Sequence, residues 1–283
     1  MIDMRQKEFL GLSPAGFHRV AYTEWGDPNA ARVIVCCHGL TRNGRDFDAL
    51  AAVLAQEARV ICPDIVGRGQ SDWLRDPLHY GYPQYCADMN VLIARLDVEQ
   101  LDWVGTSMGG LIGLTLAAQA GTPIRKLIIN DVGPFVPKAA LLRIADYVGL
   151  DNRFSSIAAI ETHLRKVLAP FGPLTDAQWQ HLVAHGHRRR PDGTFGLAYD
   201  PAIAVNVKAA VQDWDLWAIW DRIKCPTLVL RGAESDLLLE ATAQEMTQRG
   251  PKAQLVTWNG MGHAPALMDP QQIALLQTWL TDK

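Results

Sequence analysis

The chain has 283 residues, 48% of them hydrophobic and 20% charged, with a formal net charge of −3. Those proportions are ordinary for a globular protein that buries a sizeable core, and the slightly acidic balance argues against a nucleic-acid partner, which would need a basic face. No apolar run approaches the length of a membrane span, and the first eight residues lack a signal-peptide core, so a cytoplasmic protein with no membrane partner is expected.

Residues 17–24 alternate polar and apolar like an edge strand, and Trp25-Gly26-Asp27-Pro28 ends it as a turn. An apolar run at 33–38 then leads into His38-Gly39-Leu40, followed by a helical pattern at 46–56. Strand 59–63 precedes Asp64-Ile65-Val66-Gly67-Arg68-Gly69-Gln70-Ser71-Asp72, and a helix is predicted over 83–98. Strand 101–105, helix 107–120 and strand 125–130 complete the first half. Continuous apolar strands separated by amphipathic helices imply a mostly parallel sheet covered on both faces.

The rhythm breaks at Asp131-Val132-Gly133-Pro134. From there to about Asp215 the pattern is helical, with helices predicted over 138–148, 156–168 and 175–185 and a turn at Pro191-Asp192-Gly193-Thr194. Alternation resumes with strand 226–231, helix 239–249, strand 254–258 and helix 265–281. The expected organisation is a core of 1–133 and 216–283 with an insertion of 134–215.

Five cysteines, Cys36, Cys37, Cys62, Cys86 and Cys225, form no C-x-x-C pair, so neither a zinc nor a redox motif is indicated. Cys36, Cys37 and Cys62 fall in predicted strands and read as small buried hydrophobes, which fits a reducing compartment.

The chemistry concentrates at Gly105-Thr106-Ser107-Met108-Gly109. A serine flanked by glycines between a strand and a helix fits a nucleophile elbow: the turn needs small neighbours, and the helix N-terminus faces any oxyanion formed beside the serine. With the His-Gly turn after strand 33–38, Arg231-Gly232-Ala233-Glu234-Ser235-Asp236 after strand 226–231, and Gly260-Met261-Gly262-His263 late in the chain, the sequence resembles the α/β-hydrolase family over nearly its whole length. The resemblance implies an α/β fold with a helical cap after the sixth strand. It also implies catalytic residues in the order nucleophile, acid, histidine.

Ser107 is then the candidate nucleophile, His263 the base and Asp236 the acid, with Glu234 and Asp131 as alternatives for the acid. The backbone N–H groups of Leu40 and Met108 are the expected oxyanion donors. His38 reads as a residue that shapes its loop, and Asp64, Arg68 and Asp72 as an internally ion-paired loop. His181, His185 and His187 lack the acidic neighbour of a metal-binding helix and lie beside Arg188-Arg189-Arg190, so they read as solvated surface; neither metal nor organic cofactor is expected. Trp214, Trp217 and Trp220 read as packing residues.

The implied reaction is hydrolysis of a carboxylic ester or related small acyl substrate through an acyl-enzyme. A serine at the elbow leaves room for a carbon–carbon bond hydrolase of the meta-cleavage type, a cofactor-free perhydrolase or acyltransferase, or a ligand receptor on the same fold.

Overall fold

A computed structural model describes residues 3–282. Twelve strands and ten α-helices are assigned within them. In chain order the first strands are β1 (Met4–Ser13), β2 (Gly16–Trp25), β3 (Val33–Cys37), β4 (Arg59–Pro63), β5 (Leu101–Thr106) and β6 (Ile124–Asn130). After β6 come the short β7 (Phe135–Val136), β8 (His187–Arg189), β9 (Phe195–Leu197) and β10 (Trp214–Asp215), then β11 (Thr227–Gly232) and β12 (Gln254–Trp258). Eight of them form one sheet in the order β1-β2-β4-β3-β5-β6-β11-β12. The β1/β2 and β2/β4 pairs are antiparallel and every other pair is parallel.

The helices are α1 (Asp48–Leu54), α2 (Tyr82–Leu96), α3 (Met108–Ala117), α4 (Lys138–Tyr147), α5 (Ile157–Val167), α6 (Asp176–His185), α7 (Ala204–Ala209), α8 (Trp217–Trp220), α9 (Glu240–Met246) and α10 (Pro270–Thr281). Strand β3 shows how the layers form. Val33, Val35 and Cys37 pack with Met89 of α2 and Ile112 of α3, whereas Ile34 and Cys36 pack with Leu50 of α1 and Leu276 of α10. Successive side chains of a strand point to opposite faces, so a strand buried on both sides must be apolar throughout.

Two expectations need correction. Residues 17–24 are not an edge, because β1 lies outside them. Strand β1 points Phe9 inward but leaves Leu10 and Leu12 at 63% and 60% exposure, so its apolar residues do not mark its buried face. The last helix begins at Pro270 rather than 265. Residues 265–269 are loop, Leu267 has a φ of 58°, and Asp269 caps the helix by accepting from the Gln271 N–H.

Between β6 and β11 the chain leaves the sheet. Helices α4, α5 and α6 lie where their patterns place them. Among them are two features absent from the helical reading: a β8/β9 hairpin and a β7/β10 ribbon, the latter tying the two ends of the excursion together.

Candidate active site

Parallel pairing brings several strand ends to one edge. Cys37 of β3 lies opposite Gly105 of β5, Thr106 opposite Asn130 of β6, and Asn130 opposite Leu230 of β11. The residues immediately after these ends therefore project from a common rim.

Ser107 stands between β5 and α3 with φ 52° and ψ −115°, a conformation a side-chain-bearing residue adopts only under constraint. The constraint is visible on both sides. Its N–H donates to the Asn130 carbonyl at 2.9 Å, and the Gly109 N–H donates to the His38 carbonyl at 3.1 Å. A Cβ on Gly105 would come within 2.2 Å of the Gly109 carbonyl oxygen, and one on Gly109 within 2.1 Å of the Cys37 carbonyl oxygen. Only glycine fits either position, which is why the elbow sequence is what it is.

The Ser107 Oγ lies 2.9 Å from His263 Nε2, and His263 Nδ1 lies 2.8 Å from Asp131 Oδ2. The carboxylate can only accept at Nδ1, so Nε2 is the free base facing the serine hydroxyl. Asp131 is fully buried. Its Oδ1 accepts from the Gly232 N–H at 2.8 Å, and its Oδ2 also accepts from the Ser235 hydroxyl at 2.6 Å. A carboxylate held by three donors stays in register with the imidazole.

Asp236 was expected in that place, and the structure puts it elsewhere. Its carboxylate is engaged by Arg143 of α4, with Nη2 at 2.7 Å, and its side chain is 49% exposed. It makes no hydrogen bond to His263 among the described residues. The physical reason is adjacency: β6 and β11 are neighbouring strands, so acids following either one can approach the same histidine, and Asp131 follows β6, which lies beside the strand that carries Ser107, while Asp236 is turned away by Arg143. Glu234 lines the same cavity without bonding His263.

The other expected residues are accounted for. The N–H groups of Leu40 and Met108 donate to no other group among the described residues, leaving both amides available beside Ser107. His38 is buried: its Nδ1–H donates to the Gly39 carbonyl at 2.7 Å, and its Nε2 accepts from the Ile65 N–H at 2.9 Å. Burial pushes its pKa down to about 4, so the ring is a neutral spacer between two loops.

The ion-paired reading of Asp64, Arg68 and Asp72 does not hold. Asp64 accepts from the backbone N–H groups of Gly44 and Gln70, each at 2.8 Å. Arg68 donates to the Leu40 carbonyl at 2.8 Å and to the Tyr85 hydroxyl at 3.0 Å, and its guanidinium lies 4.9 Å from the Tyr85 ring centroid. Asp72 turns outward to Arg19, 3.4 Å away.

Two residues, Ser235 and Asn130, escaped the sequence reading, and Arg68 was read in another role. Ser235 orients Asp131, Arg68 holds the Leu40 loop, and Asn130 donates to Thr106 Oγ1 and to the Pro265 carbonyl, linking the elbow to the loop of His263. Asn130 ends β6 and Ser235 follows β11 by three residues, and that position is the one signal by which those two stood to be found.

The structure also brings Asp48 against His181 and His185, their ligand atoms within 4.8 Å of one another. The donor set does not suit a metal, because Arg45 already grips Asp48 through Nε at 2.8 Å, and the carbonyl of Arg45 takes the His181 Nε2 hydrogen at 2.8 Å. A guanidinium occupies the carboxylate a cation would need. Trp220 is fully buried, and Trp217 stacks on Arg249 at 4.5 Å, whereas Trp214 lines a cavity.

Two cavities meet at Ser107. One, of about 590 Å³, is walled by His263, His38 and Thr41 from the core and by Arg143, Tyr147 and Leu168 from the 134–215 excursion. The other, of about 180 Å³, is mostly apolar and runs past Met108 between Leu111, Val136, Leu141 and Trp214. Ser107, Leu40 and Ile144 border both.

The sequence pattern of the Alpha/beta hydrolase family matches residues 34–274. The chain belongs to this family. It is 48% identical over 279 residues to a 3-hydroxybutyrate-oligomer hydrolase of Cupriavidus necator, covering 95% of each chain. Among solved structures, one from Rickettsia typhi aligns at a TM-score of 0.90 with 34% identity, covering 100% of this chain and 99% of the other. An alpha/beta hydrolase from Novosphingobium aromaticivorans aligns at 0.88 with 34% identity over 99% of each chain. The protein is a hydrolase of this family, and no helix among its described residues is long and apolar enough to cross a membrane.

Proposed function

We propose that this protein is a serine hydrolase that cleaves short oligoesters of 3-hydroxybutyrate or a closely similar hydroxy acid. The observation that carries the mechanism is the hydrogen-bonded chain Ser107–His263–Asp131 beneath the two cavities. The substrate class is supported by the Cupriavidus necator relative, 48% identical across almost the full length of both chains.

In this reading Ser107 Oγ attacks the ester carbonyl while His263 Nε2 takes its proton, and Asp131 stabilises the imidazolium through Nδ1–H. The N–H groups of Leu40 and Met108 receive the oxyanion, each supplying about 10²- to 10³-fold in rate. His263 then protonates the leaving alcohol, and a water activated by the same nitrogen releases the acid from Ser107. No step requires a cofactor.

Direction follows from this chemistry. The leaving alcohol must lie on the His263 side, in the larger cavity, and the acyl portion beside Met108, in the apolar one. In an oligoester of a hydroxy acid the acyl portion is the hydroxyl-terminal part and the leaving alcohol carries the free carboxylate. The segment 134–215 acts as the cap that closes both cavities, and the site of action is the cytoplasm, where the five free thiols stay reduced.

The test is hydrolysis of 3-hydroxybutyrate trimer followed by mass spectrometry. Native protein is expected to cleave it and Ser107→Ala to lose about 10⁶-fold in kcat. A folded native protein that turns over p-nitrophenyl butyrate but leaves the trimer intact would remove the substrate assignment while keeping the serine mechanism.

A further inference from the structure

The larger cavity at Ser107 has neighbours within the excursion. A small cavity of about 90 Å³ shares Thr41, Arg42, Tyr147, Val167 and Leu168 with it. That small cavity in turn shares Leu150, Asn152, Leu197 and Tyr199 with an open pocket of about 300 Å³. The three share walls in series, with the cavity of His263 and Ser107 at one end.

The outermost pocket is unlike the others in charge. Arg153, Arg188 and Arg190 line it, with Trp73 at its wall. Two of these cations are spoken for: Arg190 pairs with Asp151, and Arg153 donates to Asp192 at 2.6 Å. Arg188 has no carboxylate partner among the described residues. Its guanidinium lies 4.1 Å from the centroid of the Trp73 ring, and both side chains are exposed at the pocket. A planar donor fork presented by an aromatic wall is suited to a carboxylate.

We propose that Arg188, backed by Trp73, is a subsite for the free carboxylate at the end of an oligoester substrate. The inference rests on the oligoester reading above. In that reading the carboxylate-bearing part is the leaving alcohol, which departs through the His263 cavity, and the Arg188 pocket lies beyond that cavity. Only chains long enough to pass from Ser107 through the small cavity reach it, so recognition depends on length as well as charge. The Arg188-Arg189-Arg190 run, an unremarkable charge cluster by sequence, thereby gains a purpose at its first member.

The experiment compares 3-hydroxybutyrate oligomers from dimer to pentamer, as free acids and as methyl esters, with native protein, Arg188→Gln and Arg188→Lys. Native protein is expected to favour the longer free acids over their methyl esters. Arg188→Gln should raise KM for the longer acids by about tenfold, the loss of one charge-assisted contact, and erase the acid-over-ester preference. Arg188→Lys, which keeps the charge without the fork, should retain part of it. A structural role alone would alter acids and methyl esters equally. Oligomer hydrolysis with no acid-over-ester preference, or with a preference that survives in Arg188→Gln, would overturn the subsite. Failure to cleave any oligomer would overturn the substrate reading and the subsite with it.

Discussion

At the residue scale the decisive contact is between His263 and an acid, and two aspartates compete for the role. Asp131 is buried with its oxygens filled by His263, Gly232 and Ser235, whereas Asp236 is half exposed and paired with Arg143. The two substitutions should therefore separate cleanly in kcat. Asp131→Asn is expected to cost about 10⁴-fold, because an amide favours the wrong imidazole tautomer, and Asp236→Asn only a few-fold. Equal losses, or the reverse order, measured on a p-nitrophenyl ester would undo the assignment of Asp131.

Sequence reasoning singled out Ser107 and His263, which lie within hydrogen-bond distance of each other, because a strained elbow and a glycine-rich loop leave local marks. The acid left none. Asp131 and Asp236 each follow a strand, and what separates them is that one carboxylate meets His263 and the other Arg143, a product of tertiary placement that no local pattern encodes.

His38 gives a second test at this scale. Its Nε2 must stay unprotonated to accept from Ile65, and burial lowers its pKa from 6.5 to about 4. A histidine depressed in the folded state contributes stability that is full above 6.5 and is lost as pH falls towards 4, on the order of 3 kcal/mol. Asp64 acts in the opposite sense. Its carboxyl is pushed up to about 6 by burial, so its share of stability grows as pH falls. These two contributions oppose each other between pH 6 and pH 4. The difference in melting temperature between native protein and His38→Gln, followed from pH 7 to pH 4, isolates the imidazole: the gap should shrink as pH falls. A constant gap would mean that His38 titrates normally.

At the scale of elements, the elbow depends on how closely α3 approaches β3 and β5. The Gly109 position has a carbonyl oxygen of β3 within 2.1 Å of where a Cβ would sit, and backbone cannot step aside as a side-chain tip can. Gly109→Ala should destabilise the fold by more than about 3 kcal/mol, seen as a large drop in denaturation midpoint or loss of soluble protein. A melt within a degree or two of native would show that the strand and helix are less tightly joined than described.

The parallel strands were legible from their apolar runs, and the main helices of the excursion from their periodicity. The failures share a cause: β1 carries its leucines on the solvent side, and β7 to β10 are two or three residues long, too short for any period to register. The early start given to the last helix reflects apolar residues at 264–268 that pack as loop.

At the scale of the whole molecule, a family core adjoins a cavity system partly walled by residues 134–215. The sequence revealed the core and the existence of the excursion. It did not reveal the cavities, because their walls draw side chains from loops and helices far apart in the chain. If the apolar lobe receives the acyl portion, narrowing it should shorten the acyl group preferred. Leu141→Phe, on the lobe's α4 wall, is expected to shift the optimum of a p-nitrophenyl ester series to shorter chains, with a stability loss of about 1–3 kcal/mol from overpacking. An unchanged optimum would place the acyl chain in the larger cavity instead.

The central claim, acyl transfer to Ser107, is tested most directly by quenching native protein in acid during its first turnover of 3-hydroxybutyrate trimer and locating the added mass by peptide mass spectrometry. The account predicts a hydroxyacyl adduct on the peptide containing Ser107, absent from Ser107→Ala. Hydrolysis without any adduct on that peptide, or an adduct on another residue, would contradict it.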